Sequence, residues 1–328
     1  MSGKLRFIWI DDDPQREVES RNIEERFNIE VNFIEVKEGS LNNVLEEILS
    51  QKEPDLILMD HKLQDNVDQA LFNTGSTASE ILREKWPSCP IVCITGVKIE
   101  DVGSYKRSLY EDVFKVENIS KYYLTLISIA KSFKKLRSKN PDNVEGLFSL
   151  LKAPNEDKKR LLTILPNTLK KDFSDPSLPV FISRWVRKTL IAKPGFLYDR
   201  LWTATLLGIK EEGLRKVETI FSGAKYKGIF SDDSNERWWQ SGLRKILSSQ
   251  IVDPELIYPW EQGRKLAGIT EKDHSICYAS GEAFPETVAF IDETATKRAP
   301  MRLKYTVPHP QFEESLFFEE IRMMKAEE

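Results

Sequence analysis

At 328 residues the chain is longer than one typical domain, so two or three domains are expected. The 40% hydrophobic share is enough for ordinary cores, and the 30% charged share predicts a well-solvated surface. No apolar stretch has the length of a membrane span, and the first strand begins too early for a signal peptide. Three cysteines do not form a disulfide framework. We therefore expect a cytoplasmic protein without membrane contact.

The charge is distributed unevenly along the chain. The net charge is −4, with 24 acidic and 19 basic residues before Ser138 and 28 acidic and 29 basic residues from there on. Because contacts to phosphates usually need a concentrated Lys/Arg surface, a nearly neutral second half disfavours nucleic-acid binding.

Strands and helices are predicted to alternate five times in the first 137 residues. The apolar run between Pro54 and Asp60 has four consecutive apolar residues, which is typical of a parallel strand buried on both faces. The alternation predicts an α/β fold with a doubly wound five-stranded parallel sheet. The predicted strands are Leu5–Ile10, Val31–Val36, Leu56–Met59, Ile91–Ile94 and Val113–Phe114, and the predicted helices are Gln15–Phe27, Leu41–Gln51, Gly75–Trp86, Asp101–Tyr110 and Ser120–Arg137.

Polar side chains follow four of these strands at the points where the strands end. Asp11-Asp12-Asp13 follows the first strand, Asp60 the third, Thr95 the fourth and Lys115 the fifth. Open α/β sheets carry their chemistry at the carboxyl ends of their strands. One aspartate after a strand more often only starts a loop, but acids, a hydroxyl and an amine at separate strand ends form a specific pattern.

This pattern resembles the receiver domain of two-component response regulators, over residues 1–137. The resemblance implies a flavodoxin-like strand order of 2-1-3-4-5. It also implies that Asp60 accepts a phosphoryl group and that Mg²⁺ is the cofactor. Asp12, Asp60 and the backbone carbonyl of Lys62 would bind the metal directly, and Asp11 would act mainly through water.

The resemblance gives the remaining strand ends a role in switching. Thr95 and Lys115 would contact phosphoryl oxygens, and a sensor histidine kinase or a phosphotransfer protein would be the phosphoryl donor. Two residues depart from the family pattern, since Val116 stands where proline is usual and Asp112 where an aromatic switch residue is common. The loop of residues 64–74 is longer than usual, which suggests an altered face toward a partner.

The pattern changes after residue 140, where helices come first and strands follow. We predict a receiver domain at 1–137, a helical connector at 138–179 and an α+β output domain of unrecognised type at 180–328. The predicted helices are Val144–Leu151, Glu156–Leu169, Val180–Ala192, Phe196–Leu207, Glu211–Phe221 and Asn235–Ser248. The predicted strands are Ser275–Ala279, Thr287–Ile291 and Leu303–Val307, followed by a helix or strand at Phe312–Met324.

A short segment near residues 203–217 resembles the helix-turn-helix of transcription regulators, with Ala204, Gly208 and Leu214 at suitable positions. Its second helix opens with Glu211-Glu212, which would face a polyanion, so a structural turn is the alternative that we favour. Arg215, Lys216, Lys225 and Lys227 are the close basic cluster after the turn.

Aromatic residues concentrate at Arg237-Trp238-Trp239. Trp239 is expected in a core or interface, whereas a partly exposed Trp238 beside Arg237 would suit a contact with a partner protein. An output enzyme is less favoured, because neither Cys277, near His274, nor His309 belongs to a recognisable catalytic set. Self-phosphorylation and slow self-dephosphorylation are the only reactions expected.

Two functions therefore follow from the sequence. The favoured one is a phosphorylation-controlled signalling protein that relays the state of Asp60 to a protein-interaction domain. The alternative is a DNA-binding transcription regulator that uses the segment near 203–217.

Overall fold

The structure, a computed structural model, describes residues 4–37, 40–63, 75–171, 173–193, 195–231, 236–251, 253, 255–283, 287–291 and 298–307. The chain forms two compact units. The first comprises Met1–Leu147 with Pro166–Trp185, and the second comprises Phe148–Leu165 with Val186–Glu328. This division assigns part of the predicted connector, 138–179, to each unit, and the domain boundaries stay a prediction.

A five-stranded parallel sheet is the centre of the first unit. Its strand order is β2-β1-β3-β4-β5, so the predicted doubly wound fold is confirmed. Every residue of Leu56–Met59 and of Ile91–Ile94 is buried, as expected for central strands covered on both faces. The strands are β1 (Arg6–Asp11), β2 (Glu30–Glu35), β3 (Leu56–Asp60), β4 (Ile91–Thr95) and β5 (Asp112–Lys115).

Four helices connect the strands and a fifth follows β5, as predicted, with small changes at their ends. The fourth is shorter than expected, and a 3-10 helix, Val116–Tyr122, precedes the fifth. Apolar residues at helical spacing explain the packing, since Leu41, Val44 and Ile48 are all buried against the sheet. The helices are α1 (Arg16–Phe27), α2 (Leu41–Ser50), α3 (Gly75–Lys85), α4 (Ser104–Ser108) and α5 (Tyr123–Lys139).

Charged residues fasten α5 to the amino-terminal end of β3. The carboxylate of Asp55 accepts hydrogen bonds from the Arg6 amide (3.0 Å), the Lys134 ammonium (3.1 Å) and the Arg137 guanidinium (2.9 Å). Because these contacts join β1, β3 and α5 at the end of the sheet opposite Asp60, they leave the other edge free for chemistry.

A helix from beyond the predicted receiver also belongs to the first unit. The sequence predicts one helix over Val180–Ala192, but the α-helix covers Leu178–Trp185 and a π-helical stretch follows at Val186–Ile191. Ser183 donates a hydrogen bond of 2.8 Å to Glu111, the buried residue before β5. The further helices of residues 144–185 are α6 (Val144–Leu151), α7 (Asn155–Ile164), α8 (Thr168–Lys171) and α9 (Leu178–Trp185).

The second unit mixes short helices with two-stranded sheets, as predicted for its fold class. Residues 287–291 form a strand as predicted, whereas its partner is Arg298–Arg302 and Leu303–Tyr305 is a 3-10 helix. Ser275–Ala279 is not a strand, and the predicted segment Phe312–Met324 lies outside the described residues. The elements are β6 (Leu197–Tyr198), α10 (Arg200–Leu206), α11 (Glu211–Val217), β7 (Trp238–Trp239), α12 (Gln240–Gln250), α13 (Pro259–Arg264), β8 (Thr287–Ile291) and β9 (Arg298–Arg302).

Two predicted helices begin later than expected because strands β6 and β7 precede them. Leu197 pairs with Trp239 and Tyr198 with Trp238 in an antiparallel bridge. Helix α10 then begins after Asp199, whose carboxylate caps it by accepting a hydrogen bond of 2.8 Å from the Trp202 amide.

Candidate functional site

The carboxyl ends of four parallel strands meet at one edge of the first unit's sheet. Strands β1, β3, β4 and β5 end at Asp11, Asp60, Thr95 and Lys115, and they are neighbours in that order. Thr95 is paired in register with Lys115, and Asp60 is paired with Ile94. The sequence-predicted acids, hydroxyl and amine are therefore neighbours along a single edge.

Asp11, Asp12 and Asp60 form a compact acidic cluster. One carboxylate oxygen from each residue lies within 4.8 Å of those of the other two. Burial, together with the charges of Asp11 and Asp12, raises the pKa of Asp60 to about 7. Burial likewise raises the pKa of Asp11 to about 6. Three partly desolvated carboxylates therefore repel one another at this edge.

These residues fit a divalent cation. Mg²⁺ prefers oxygen ligands and is commonly held by one or two carboxylates together with water. A cation between the three oxygens would offset the repulsion that raises the pKa values of Asp11 and Asp60. Among the acidic, histidine and cysteine residues that the structure describes, these three aspartates are the group whose side chains lie closely enough together to hold a metal.

Two local features fix the backbone around Asp60. The Lys62 amide donates a hydrogen bond of 2.9 Å to the Asp60 carboxylate, while the roles expected of Asp60 and of the Lys62 carbonyl stay predictions. Gly75, at the start of α3, approaches so closely that a Cβ there would lie 1.8 Å from the Asp60 carbonyl oxygen. The Gly75 amide also donates to the carbonyl of His61 (3.1 Å). Glycine is required at this position by the close approach of two backbones.

Thr95 and Lys115 are occupied by the loop that follows β4. The Thr95 hydroxyl is buried and accepts a hydrogen bond of 3.1 Å from the Val97 amide. The Lys115 ammonium donates to the Gly96 carbonyl at 2.7 Å. Both predicted phosphoryl-contacting groups are thus close to Asp60 in the sheet order, and both are held by residues 96–97.

Three residues near the cluster were not assigned a role in the site from the sequence. Trp9 donates its indole hydrogen to Asp11, Gly75 lies against the Asp60 backbone, and His61 is buried with its Nδ1 atom unpartnered. The spacing marks both Trp9 and His61 as neighbours of the cluster, because they lie two residues before Asp11 and directly after Asp60. Gly75 carries no such signal, because its contact depends on how α3 docks.

The partial exposure expected of Trp238 is wrong. Its side chain is 0% exposed, because it pairs with Tyr198 in the β6–β7 sheet and packs in the core of the second unit. The Arg200 guanidinium lies 5.7 Å from its ring centroid. Arg237 is half-buried and donates to the Ile191 carbonyl (3.3 Å). A contact of Arg237 with a partner protein stays a prediction.

Helices α10 and α11 do form a helix–turn–helix arrangement around Gly208, whose φ is +64°. A Cβ at Gly208 would lie 2.8 Å from the Trp260 carbonyl oxygen, so α13 closes over the turn. The second helix has only seven residues, and its Lys216 is bound to Asp273 at 2.6 Å. Gly208 and Lys216 thus both make contacts within the second unit.

Within the part of the chain that the structure describes, no hydrogen bond joins Cys277 to His274, the two residues considered above for an output enzyme. Cys277 is buried and its thiol accepts a hydrogen bond from the Arg302 amide (3.4 Å). Burial and the nearby Arg264 lower the pKa of His274. His309 lies outside the described residues.

Within the described ranges, no helix combines the length and the apolar character needed to cross a bilayer.

Comparison with known proteins finds similar structures for the first unit. No protein-family model and no curated protein matches the sequence. A two-component response regulator from Clostridium difficile is 19% identical over 39% of this chain and 97% of that one, with a TM-score of 0.33. A receiver domain protein from Methanospirillum hungatei is 18% identical over 39% and 98%, with a TM-score of 0.32.

A third similar structure is a response regulator protein from Thermotoga maritima, in complex with Mg²⁺–BeF. It is 16% identical over 36% of this chain and 98% of that one, with a TM-score of 0.29. The fold assignment itself rests on the strand order β2-β1-β3-β4-β5. With this order, the first unit has a flavodoxin-like doubly wound fold.

Proposed function

We propose that the first unit is a phosphorylatable signalling domain whose acceptor is Asp60. The observation that carries the proposal is the arrangement of Asp60, Thr95 and Lys115 at successive ends of β3, β4 and β5, beside the acidic cluster. An acid flanked by a hydroxyl, an amine and further acids is the donor and acceptor set that phosphoryl transfer to a carboxylate needs.

The reaction forms one bond and breaks one. A carboxylate oxygen of Asp60 attacks the phosphorus atom, and the bond from phosphorus to the leaving group of the donor breaks. Asp60 must be deprotonated to attack, so the raised pKa of its carboxyl group works against the reaction until a cation offsets the charge of Asp11 and Asp12. Lys115 and Thr95 would stabilise the charge on the phosphoryl oxygens.

Mg²⁺ is proposed as the cation and would supply positive charge next to the phosphoryl oxygens. Asp12, Asp60 and the Lys62 carbonyl would hold it, and Asp11 would act through water. Carboxylate and carbonyl oxygens are the ligands that a hard cation such as Mg²⁺ prefers. Binding of the phosphoryl group would draw Lys115 from Gly96 and Thr95 from Val97, which would release the loop after β4.

The wider role is proposed on the same basis. A sensor histidine kinase or a phosphotransfer protein would supply the phosphoryl group in the cytoplasm, and the second unit would contact a protein partner. A protein partner is favoured over DNA because the chain is nearly neutral from Ser138 onward and because Lys216 forms an ion pair with Asp273. Binding to DNA through α10 and α11 is the alternative that these contacts disfavour.

Acetyl phosphate, a small phosphoryl donor, provides the test. The wild-type chain should be labelled in a Mg²⁺-dependent way, and Asp60→Asn should not be, because the amide keeps the shape but is not a nucleophile. Asp13→Asn is the matched control, since Asp13 lies next to the cluster without being part of it. Undiminished labelling of Asp60→Asn would reject Asp60 as the acceptor.

A further inference from the structure

Trp9 lies in the middle of β1, between β2 and β3. It is 0% exposed, and its register partners are Phe33 on β2 and Leu58 on β3. Its ring meets that of Phe33 edge to face, with centroids 6.5 Å apart. A tryptophan this deeply buried must direct its indole N–H to an acceptor or leave it unsatisfied, because the indole nitrogen is a donor only.

The acceptor is a member of the acidic cluster. Residues two apart on a strand point to the same face, so Trp9 and Asp11 lie side by side. The indole Nε1 donates a hydrogen bond of 3.2 Å to Oδ2 of Asp11, and both side chains are buried. The other oxygen, Oδ1, accepts from the Asp13 amide at 3.0 Å.

Asp11 is therefore held at both oxygens by donors of the protein. Two fixed donors leave the carboxylate little rotational freedom. Its environment is otherwise unfavourable, because only 3% of the residue is exposed and its neighbours in the cluster carry like charges. The two donors also compensate part of the desolvation that a buried carboxylate suffers. Groups that orient a metal-binding carboxylate in this way commonly set the affinity of the site.

We propose that Trp9 is a positioning residue for the cation site, and that its indole N–H holds Asp11 in the orientation in which the acidic cluster binds Mg²⁺. The proposal rests on the proposed function of the cluster as a Mg²⁺ site. Trp9 contacts neither the cation nor the phosphoryl group and acts only through Asp11.

Two changes remove the donor while keeping an aromatic group in place. Trp9→Phe is the simple variant, and site-specific replacement of Trp9 by benzothienylalanine, in which sulfur replaces the N–H group, keeps the shape almost unchanged. Each should weaken Mg²⁺ binding about tenfold, as measured by calorimetry on the full chain. Phe33→Leu is the matched control, since it alters the packing of the indole but keeps its N–H, and its Mg²⁺ affinity should stay near that of the wild type.

The indole N–H resonance of Trp9 gives a readout that packing alone would not move. It can be identified by its absence from the Trp9→Phe spectrum, and it should shift when Mg²⁺ is added to the wild type. If the benzothienylalanine protein binds Mg²⁺ as tightly as the wild type, or the resonance does not shift, the positioning role is overturned while the Mg²⁺ site stands. If the wild type itself binds no Mg²⁺, both are overturned.

Discussion

The ammonium of Lys115 donates a hydrogen bond of 2.7 Å to the carbonyl oxygen of Gly96. Lys115 ends β5 and Gly96 follows β4, so the bond ties the amine to the loop that also engages the Thr95 hydroxyl. To neutralise the charge of a phosphoryl group, the Lys115 ammonium would have to give up its hydrogen bond to the Gly96 carbonyl and bind a phosphoryl oxygen. If Asp60 is phosphorylated as proposed, this contact would link that reaction to the conformation of residues 96–97.

Lys115→Met should slow labelling by acetyl phosphate on the order of a hundredfold, because a cation aimed at developing negative charge is lost. Lys98→Met is the control, since Lys98 is an exposed lysine in the same loop region. Initial rates of Asp60 labelling at saturating Mg²⁺ provide the measurement. Equal rates for Lys115→Met and the wild type would contradict a role for this amine.

Mg²⁺ affinity should rise with pH. In the metal-free protein, burial and neighbouring acids raise the pKa of Asp60 to about 7, and burial raises that of Asp11 to about 6. Protons therefore compete with the metal below these values. For each proton that the metal displaces, the Mg²⁺ affinity should rise by up to about tenfold per pH unit. Calorimetric titrations between pH 5.5 and 8 measure the trend.

Asp60→Asn should bind Mg²⁺ more weakly and with a flatter pH dependence, because the group with the higher pKa no longer titrates. An affinity that is constant across this pH range in the wild type would show that the acidic cluster is not the Mg²⁺ site.

The fold of the first unit could be predicted because local sequence determines it. The four apolar residues before Asp60 specify a buried strand, and the acids at the ends of β1 and β3 fall at the same sheet edge because the strands are parallel. The burial of Trp238 was not predictable in this way. It depends on pairing with Tyr198, forty residues earlier in the chain, and no local pattern marks that pairing.

The docking of α9 on the first unit was missed for a similar reason. Sequence periodicity predicts a helix over 180–192 but does not say what it packs against. The contact depends on Glu111, whose side chain is 0% exposed and is shared between Arg83 (3.0 Å) and Ser183 (2.8 Å). A buried carboxylate that binds residues distant in the chain is a long-range feature that becomes visible only in three dimensions.

Arg83→Met should destabilise the first unit by about 3 kcal/mol, because it leaves the charge of Glu111 buried without its cation. Exchange of the β4 amides under native conditions measures the free energy of unfolding of this unit. The double variant Arg83→Met/Glu111→Gln should recover part of the loss. Arg21→Met, which breaks an exposed pair with Glu17, should change it by less than about 0.5 kcal/mol. Similar losses for both single variants would contradict the importance of burial.

The ion pair between Asp273 and Lys216 should make the free energy of unfolding of the second unit depend on pH. Lys216 donates at 2.6 Å, and the Thr270 amide and hydroxyl donate to the other oxygen at 2.9 and 2.8 Å. These hydrogen bonds lower the pKa of Asp273 to about 2, from an ordinary value of 3.8. Because the folded state holds the carboxylate in its charged form, the stabilisation is present above pH 4 and is lost as the pH falls toward 2.

Asp273→Asn should therefore lower the urea midpoint of the second unit at pH 6, and the deficit relative to the wild type should shrink at pH 3. Asp253→Asn is the matched control, since the Asp253 carboxylate accepts one exposed amide hydrogen bond, from Glu255, and its effect should not vary in this way. The same experiment bears on the DNA-binding alternative, because a phosphate would have to compete with Asp273 for the Lys216 ammonium. A deficit that is equal at pH 6 and pH 3 would show that the charged form of Asp273 contributes nothing, and would leave Lys216 open to other partners.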